Sequence, residues 1–492
     1  MSVYPVFAVV AVLLAVGQVS HGGGARPLVR AIGPEAQLFV DDWLVASKRG
    51  VRRTLHPCTK LDRPVIVPDK PWEGQRVYVY GSASHDPARK EFRLWYMARC
   101  GRRRVTGLAT PSGDVVCLAT SKDGVHWQKP SLGLYAFDGS SENNIVWDYH
   151  SPSVVIDEAE PDPARRYKMA GAYHPKGRRG YWGAHSPDGL RWTHYPVNPI
   201  LPSTDTITAT RVPWTGEYLA FHKHSARVRG VGRRTVWLAA SRDFQAWSKP
   251  KLLFAPDEQD DAWAAEPHQR TEFYVMSAFP YGRMMLGLLS VFRLTRIHKE
   301  PKPHQSPHDG PIDIQLVHSR DGHTWHRFED RSPLIPTGPH PYDAGCILGV
   351  ANGPVLARDE MWVYYTAITT PHGGALPAKR ITIGRAAWRR DGFVSLDAGP
   401  EAGVVETVLL TAKGTRLEVN ADASKGSLAV EVLTADGKPL PGFSRADCQA
   451  VHTDSVRHAI RWQGGARLPA DRSVRLRFHL TRVGLYSFRI AP

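Results

Sequence analysis

Short apolar stretches alternate with turn-forming residues along most of this chain, and one motif recurs where the two meet. Copies that read Ser-x-Asp-Gly-x-x-Trp, with Phe for Gly in the third, occupy residues 121–127, 186–192, 241–247 and 319–325, and a shortened copy starts at Arg390. Each copy follows an apolar or alternating run such as 115–119 or 314–317, which is typical of a β-strand, and Asp-Gly is typical of a tight turn. The unit predicts a strand, a tight turn and a tryptophan that packs against the next strand.

A second element, a turn followed by an aromatic-rich strand, precedes each copy of the motif. These strands lie at 90–97, 166–170, 216–221, 272–276 and 360–365. The four tryptophans are spaced too irregularly for a solenoid, but normally for propeller blades with loop insertions. With an inner strand before these two strands and an outer strand after them, each unit has four strands, and five units predict a five-bladed β-propeller.

The pattern changes near residues 397–403, where strict alternation of apolar and polar positions begins. It continues through 416–420, 427–433 and 474–480, with glycine turns at 436–437 and 464–465. Such alternation suits a small antiparallel sandwich because only one face of each strand is buried. We predict an all-β chain with a propeller over residues 35–400 and a C-terminal β-sandwich over 401–492. Residues 37–45 predict a first strand that completes the last blade or leads into the first.

The amino terminus has an apolar run over residues 6–16 that is followed by small residues and by glycines at 22–24. The run is too short for a spanning helix and is typical of a secretory signal. It predicts a signal peptide over residues 1–22, a secreted or periplasmic protein, and no other membrane association. Because no Lys or Arg precedes the run, an uncleaved anchor is the alternative.

The formal net charge of +16 suggests nucleic acid or an acidic polymer as a partner. However, arginines are spread over nearly all repeats, and no nucleic-acid-binding motif accompanies the clusters at 99–104 and 178–179. We predict a solvated basic surface and no nucleic-acid partner, with an acidic glycan as the alternative. The five cysteines have scattered spacings, which predict free thiols rather than a Cys100–Cys117 bridge, and neither a metal site nor a cofactor; structural Ca²⁺ has no signal in the sequence.

Candidate chemistry is expected in the central funnel, where polar residues at the starts of the inner strands converge. The motif aspartates lie on a later strand and are predicted to be structural. Hydrolysis of a glycosidic bond needs two opposed carboxyl groups, and four funnel candidates could supply them. The predicted catalytic residues are Glu73, Asp205, Glu272 and Asp343, and the predicted substrate-binding residues are Arg76, His150, His222, Asn352 and His372. In the competing interpretation, the carboxylates are strand-end residues in ion pairs and the histidines are satisfied within the fold.

Several stretches together resemble the superfamily of five-bladed glycosidases that holds glycoside hydrolase families 32, 43 and 68. They are Leu38–Asp42, Pro71–Gly74, Ala119–Trp127 and Asn352–Pro354, followed by a sandwich. The chain looks most similar to secreted family-32-like proteins of planctomycetes. The resemblance implies a propeller fold and a carbohydrate substrate, which we expect to be cleaved in the funnel by paired carboxylates.

The match to the family motifs is incomplete. Ser151 stands where family 43 has its second-blade Asp, Asp205 rather than Glu opens the third blade, and the Asn-Asp-Pro-Asn and Arg-Asp-Pro motifs of family 32 are missing. Transfer by resemblance therefore gives Asp205 at the acid position, with Glu73 a loose match for the first-blade carboxylate. The leading hypothesis is a glycosidase. A non-catalytic carbohydrate-binding propeller and a sialidase are the alternatives, the latter because Ser319–Trp325 approaches the sialidase Asp-box.

Overall fold

The structure is a computed structural model that describes residues 28–101, 105–202, 205–470 and 472–492. The predicted signal peptide lies outside the described residues. Strands dominate this part of the chain, which contains no α-helix and has six short 3-10 helices: Pro71–Glu73, Pro163–Arg165, Pro175–Gly177, Gln259–Asp261, Pro341–Asp343 and Gln463–Gly465. No helix found in the described ranges is long and apolar enough to cross a membrane.

Five antiparallel sheets follow one another along the chain, and we number them as blades 1 to 5. Blade 1 contains Val77–Tyr78 with Ala83–Asp86, then Glu91–Arg99, Asp114–Ser121 and Trp127–Gln128, and Ile145–Trp147 joins its third strand. Blade 2 contains His150–Ile156, Tyr167–Tyr173, Gly180–Ser186 and Thr193–His194. Blade 3 contains Ile207–Arg211, Tyr218–Val228, Val231–Ser241 and Lys251–Phe254. Blade 4 contains Arg270–Tyr281, Met284–Leu294, Ile312–Ser319 and His326–Arg327.

Blade 5 contains Cys346–Val350 with Val355–Ala357, then Glu360–Ile368 and Ile381–Arg389. Its fourth strand, Thr59–Lys60, comes from the segment before blade 1 and pairs with Ala386 and Ala387. Two small pairs of strands are formed by insertions within the propeller segment: Val105–Thr106 with Ala136–Phe137, and Arg296–Ile297 with His308–Asp309. An early segment of the chain thus completes the last blade.

Buried Ser and Thr hydroxyls join the blades in a closed ring. Each bonds to the backbone of a neighbouring blade: Ser82 to Val154, Ser153 to Ala209, Thr208 to Met276, Ser277 to Val350, and Thr366 to Val79. The ring runs from blade 1 through blades 2 to 5 and back to blade 1. The predicted β-propeller is therefore confirmed; the count of five blades stays a prediction, which this ring supports.

The recurrent Ser-x-Asp motif forms a tight turn between the third and fourth strands of a blade. In blade 1, Ser121 Oγ accepts from the Gly124 N–H at 2.8 Å, and Asp123 Oδ1 accepts from the Val125 and His126 N–H groups at 2.8 Å. The copies in blades 2, 3 and 4 have the same bonds. The turn also reaches a neighbouring blade, since Tyr364 of blade 5 donates to the Gly124 carbonyl at 2.9 Å. The structural role predicted for these aspartates is confirmed.

Two sheets form the predicted β-sandwich, and both use strands from each end of the chain. One has the order Asp454–Ala459, Arg416–Asp422, Val483–Ala491, Val394–Ala398 and Val51–Leu55, with Gln37–Leu38 also paired to Val483–Ala491. The other has the order Val45–Arg49, Gly403–Thr407, Arg475–Thr481 and Ser427–Leu433, and Val29–Ala31 pairs in parallel with Leu409–Thr411. Phe39, Phe478 and Phe488 pack in the core of the sandwich, with ring centroids 5.7 to 6.1 Å apart.

The structure corrects the predicted domain boundaries of 35–400 and 401–492. Residues 37–55 and Val394–Ala398 belong to the sandwich, while the blades run from Thr59 to Arg389. The strand expected at 37–45 neither completes a blade nor leads into one, because Gln37 and Leu38 pair with Phe488 and Ser487. Sequence alternation identifies a strand but not its distant partner. All five cysteines are free, as predicted.

Candidate functional site

The candidate site lies at the mouth of the funnel, where first strands begin and second strands end. Three buried tyrosines form its floor: Tyr78 and Tyr80 of blade 1, whose rings stack with centroids 6.0 Å apart, and Tyr274 of blade 4. They belong to one apolar cluster that also contains residues of blade 5. Burial raises the pKa of each tyrosine, so all three stay neutral hydroxyl groups.

Above this floor, a chain of ionic contacts crosses from blade 1 to blade 3. Arg99 lies 2.8 Å from Asp114 Oδ1, and Asp114 Oδ2 lies 2.9 Å from His150 Nδ1. The other ring nitrogen of His150, Nε2, lies 3.4 Å from Asp205 Oδ1, and Asp205 also pairs with Lys223. Burial opposes ionisation of Asp114, but the His150 hydrogen bond and charge and the Arg99 charge outweigh it, so the Asp114 pKa lies below its usual value.

A second ionic group connects blades 3 and 4. Glu272 is buried and pairs with Arg234, and its Oε1 accepts from Arg270 Nε at 2.8 Å. Burial and the neighbouring Arg234 charge hold the pKa of Lys223 well below its usual value, although Glu272 opposes this shift. Lys223 Nζ lies 4.2 Å from the centre of the Tyr274 ring, which is a favourable cation–π distance. The cations therefore contact the tyrosine floor directly.

Histidines complete the rim of the site. His372 is buried beside the Tyr274 ring, with centroids 5.3 Å apart, and its Nδ1 bonds to the His308 carbonyl at 3.0 Å. Burial lowers the pKa of His372 to about 3, helped by the charges of Lys379, Arg234 and Lys223. The imidazole is therefore neutral at ordinary pH. With its proton on Nδ1, facing a carbonyl, its Nε2 is an acceptor suited to a substrate hydroxyl.

Five of the nine predicted site residues come together here. They are Asp205, Glu272, Arg76, His150 and His372. The side chain of Asp205 is 34% exposed, whereas those of Glu272, Glu73 and Asp343 are at most 2% exposed, so Asp205 is the carboxylate of the predicted four that solvent reaches. Ser151, at the position of the family's second-blade Asp, is fully buried, and its N–H lies 3.3 Å from Met97 Sδ.

Glu73 and Asp343 occupy equivalent structural positions in blades 1 and 5, away from the mouth. Each ends a short 3-10 helix before a first strand, accepts from a tyrosine of the second strand, and pairs with a lysine at the fourth strand. Glu73 accepts from Tyr96 and lies 2.7 Å from Lys129, and Asp343 accepts from Tyr365 and lies 2.7 Å from Lys60. Asp260 and Arg327 repeat the ion pair in blade 4 at 2.6 Å. These contacts favour a structural role for both carboxylates.

Asn352 and His222 also lie apart from the mouth. Asn352 reaches from blade 5 across the centre of the propeller, and its Nδ2 donates to Ser153 Oγ at 2.9 Å and to the Ala209 carbonyl at 2.6 Å. His222 is 2% exposed and packs against the Tyr181 ring, with centroids 5.5 Å apart. The contacts of both residues favour a place in the packing between blades over contact with a substrate.

Sequence reasoning missed Asp114, Lys223, Arg234 and the three floor tyrosines. Its carboxylate candidates came from the starts of first strands, and from the second strands it took only histidines. Lys223 lies within a second strand, and Asp114 and Arg234 lie in third strands. A usable signal existed in the sequence. Neighbouring strands of a blade are antiparallel, so the start of the first strand, the end of the second and the start of the third all lie at the same end of the blade. The polar residues that flank each second-to-third connection are therefore candidates for the funnel mouth.

Each pair of neighbouring carboxylates at the mouth has a basic group between them. His150 separates Asp114 from Asp205, and Lys223 lies between Asp205 and the Glu272 region. An inverting glycosidase leaves room for a water between its two carboxyl groups, but here the His150 ring fills the space between Asp114 and Asp205. The site supplies a solvent-reachable carboxylate, Asp205, in contact with the imidazole of His150. No group of three or more metal-ligating side chains occurs among the residues described.

Comparisons with known proteins give distant structural similarities. No family model and no curated protein matches the chain. A β-1,2-mannobiose phosphorylase from Listeria innocua is 12% identical, covers 68% of this chain and 97% of its own, and has a TM-score of 0.42. An N-acetylgalactosamine deacetylase from F. plautii is 14% identical over 69% and 96%, with a TM-score of 0.41. A Bombyx mori β-fructofuranosidase of glycoside hydrolase family 32 is 11% identical over 86% and 96%, with a TM-score of 0.37. These values assign neither a family nor an activity to this chain.

Proposed function

We propose that this chain is a glycoside hydrolase-like protein that binds carbohydrate at the funnel mouth and cleaves a glycosidic bond there. The observation that carries the proposal is the tyrosine floor, over which polar side chains from blades 1 to 4 converge. Aromatic surface with a few well-placed polar groups is what a small-molecule site requires, because apolar sugar faces pack on rings while hydroxyls need hydrogen-bond partners. Export through residues 1–22 is part of the same proposal.

Asp205 is the proposed catalytic carboxylate. It is exposed enough to meet a substrate, and its contacts with Lys223 and His150 favour its ionised form, which suits a base or a nucleophile. His150 is the proposed proton carrier, since one ring nitrogen faces Asp205 while Asp114 holds the other. Glu272 positions Arg234 and Arg270 rather than meeting the substrate, because it is buried between them.

A non-catalytic carbohydrate-binding propeller is the second candidate. It is favoured by one observation: Asp114, Asp205 and Glu272 each already have a cationic partner, so none of them resembles a proton-donating carboxylic acid. Such a protein would keep the aromatic floor and its hydroxyl contacts. It would bind oligosaccharides without cleaving them.

The two candidates are separated by release and binding measured on the same oligosaccharides. We would incubate the wild type with a panel of neutral and acidic oligosaccharides, quantify reducing ends, and measure affinity by calorimetry. Asp205→Asn should abolish release while binding stays within a fewfold of the wild type, because the amide keeps the shape of the carboxylate. Asp62→Asn is the control, since Asp62 is an exposed residue outside the funnel, and it should release sugar like the wild type.

Three other outcomes are informative. Binding without release by the wild type would replace hydrolysis with the second candidate. Equal release by wild type and Asp205→Asn would remove Asp205 from the catalytic role. Absence of both release and binding across the panel would overturn the carbohydrate proposal itself.

A further inference from the structure

Cationic side chains around the tyrosine floor occur in like-charged pairs. Lys223 Nζ and Arg234 Cζ lie 4.2 and 5.7 Å from the centre of the same Tyr274 ring. Both side chains are largely buried, at 12% and 19% exposure. Asp205 and Glu272 neutralise the charges of Lys223 and Arg234, so this pair adds no net positive charge to the site.

Arg76 and Lys379 form a second pair of cations, whose charges are not neutralised by ion pairs. The Arg76 backbone bridges to Ile381, two residues after Lys379, and Lys379 Nζ donates to the His372 carbonyl at 2.5 Å. Among the residues that the structure describes, no carboxylate lies within ion-pairing distance of either cation. Burial lowers the pKa of Lys379 and the Arg76 charge adds to the lowering, while Cys346 and the Asp309 carboxylate oppose it; Arg76 and Lys379 therefore repel each other, and Asp309 offsets this only in part.

The pair stands at the edge of the tyrosine floor. Arg76 lies beside Tyr78, the first floor tyrosine, where its charge opposes the rise of the Tyr78 pKa caused by burial, and Lys379 donates to the carbonyl of His372, which packs on Tyr274. Counted over the whole mouth, six cationic side chains accompany four carboxylates: Arg76, Arg99, Lys223, Arg234, Arg270 and Lys379 against Asp114, Asp205, Glu272 and Asp309. The excess of positive charge therefore lies where a bound sugar would be.

This inference rests on the proposed function. We propose that the glycan bound in this funnel carries an anionic group, either a carboxylate or a sulfate ester. Arg76 binds this group, and Lys379 adds positive charge next to Arg76. An arginine side chain matches either group because its fork of N–H donors can make two parallel hydrogen bonds to the oxygens. The bound anion also relieves the repulsion between the two cations. Arg76, which is partly exposed, makes the contact, and the more deeply buried Lys379 adds charge.

The test compares three trisaccharides of equal length by calorimetry: a uronic-acid trisaccharide, its carboxyl-reduced neutral counterpart, and a sulfated one. The wild type should bind at least one anionic trisaccharide tenfold or more tighter than the neutral one, as expected for hydrogen bonds to a charged group. Arg76→Gln should erase that preference, so that the anionic and neutral trisaccharides bind this variant with similar affinity. The two anionic arms show which group is preferred.

Lys438→Gln is the matched control, because it removes one charge at an 82% exposed side chain in the sandwich. It should keep the preference. Thermal unfolding without ligand gives a second readout: Arg76→Gln should unfold at the same or a higher temperature than the wild type, since a repulsive contact is removed. A clear drop would show that Arg76 is structural and would overturn the proposal.

The outcomes separate this inference from the proposed function. Equal affinity of the wild type for neutral and anionic trisaccharides overturns the inference and leaves the carbohydrate proposal in place. An anionic preference that survives in Arg76→Gln overturns the role of Arg76. No binding of any trisaccharide overturns both.

Discussion

Replacing Asp343 by Asn should destabilise the propeller strongly without a direct effect on sugar binding. Asp343 is fully buried, and its Oδ2 lies 2.7 Å from Lys60 Nζ, whose side chain is 2% exposed. Lys60 belongs to the strand that completes blade 5, and its ammonium group also donates to the Pro336 and Gly338 carbonyls. The amide keeps the shape of the carboxylate and can still accept from Tyr365. What the substitution removes is the negative charge opposite a buried cation.

The magnitude follows from that burial. Breaking a buried ion pair by removing one partner costs about 3–5 kcal/mol, because the other charge stays buried without compensation. Domains of ordinary stability unfold with about 5–15 kcal/mol, so the loss is a large share of the total. At Asp205, whose side chain is 34% exposed, the same Asp→Asn change should cost at most about 1 kcal/mol. The two variants thus form a matched pair.

Urea unfolding followed by tryptophan fluorescence measures both variants. We expect a much lower urea midpoint for Asp343→Asn, a small change for Asp205→Asn, and partial recovery in the double variant Lys60→Met/Asp343→Asn, where no buried charge remains. Carbohydrate affinity of folded Asp343→Asn should equal that of the wild type. If Asp343→Asn instead unfolds within about 1 kcal/mol of the wild type and loses sugar release, Asp343 is catalytic and the structural argument fails.

Two further expectations concern the repeated Ser-x-Asp turns and a buried histidine. Tyr364→Phe should lower the free energy of unfolding by about 1–3 kcal/mol, because it leaves the buried Gly124 carbonyl without its donor. Tyr167→Phe is the control and should change this free energy little, because no hydrogen bond of the Tyr167 hydroxyl is described. Equal urea midpoints for the two variants would contradict this expectation. Burial lowers the pKa of His222 to about 4, against 6.5 in an unfolded chain, so the unfolded state binds the proton more readily between these values. The free energy of unfolding should therefore fall as the pH drops from 6.5 towards 4, by up to about 1.4 kcal/mol per unit for this residue. His222→Phe should show a shallower fall in urea midpoint between pH 7 and pH 4.5, and an unchanged fall would show that His222 does not titrate this way.

The repeated turn motif was enough to predict the blades, because its information is local. Ser121, Asp123 and Gly124 bond to one another and to the next two residues, so any copy of the pattern folds into the same turn. The strands before and after it are likewise visible as apolar runs. Sequence reasoning could therefore identify the propeller and the sandwich with no knowledge of distant contacts.

The site was only partly predictable, because the role of a carboxylate depends on its cation partners. Asp205 and Asp343 are both acidic residues that precede a first strand, and nothing nearby in sequence distinguishes them. Asp343 becomes a structural acid through Lys60, which is 283 positions away along the chain. Asp205 meets Lys223, 18 positions away, and His150, yet stays open to solvent. Such separations leave no periodic pattern.

The use of early strands to complete late sheets has a consequence for synthesis of the chain. Thr59 and Lys60 pair with Ala387 and Ala386, and Gln37 and Leu38 pair with Phe488 and Ser487, near the end of the sequence. A ribosome therefore releases these segments long before their partners exist, and their backbone edges stay unpaired until residues 386–387 and 487–488 have been made. A nascent chain that stops before residue 483 lacks a strand at the middle of the larger sandwich sheet. Such a product exposes strand edges that can pair with other chains, so truncation should lead to aggregation rather than to a smaller folded protein.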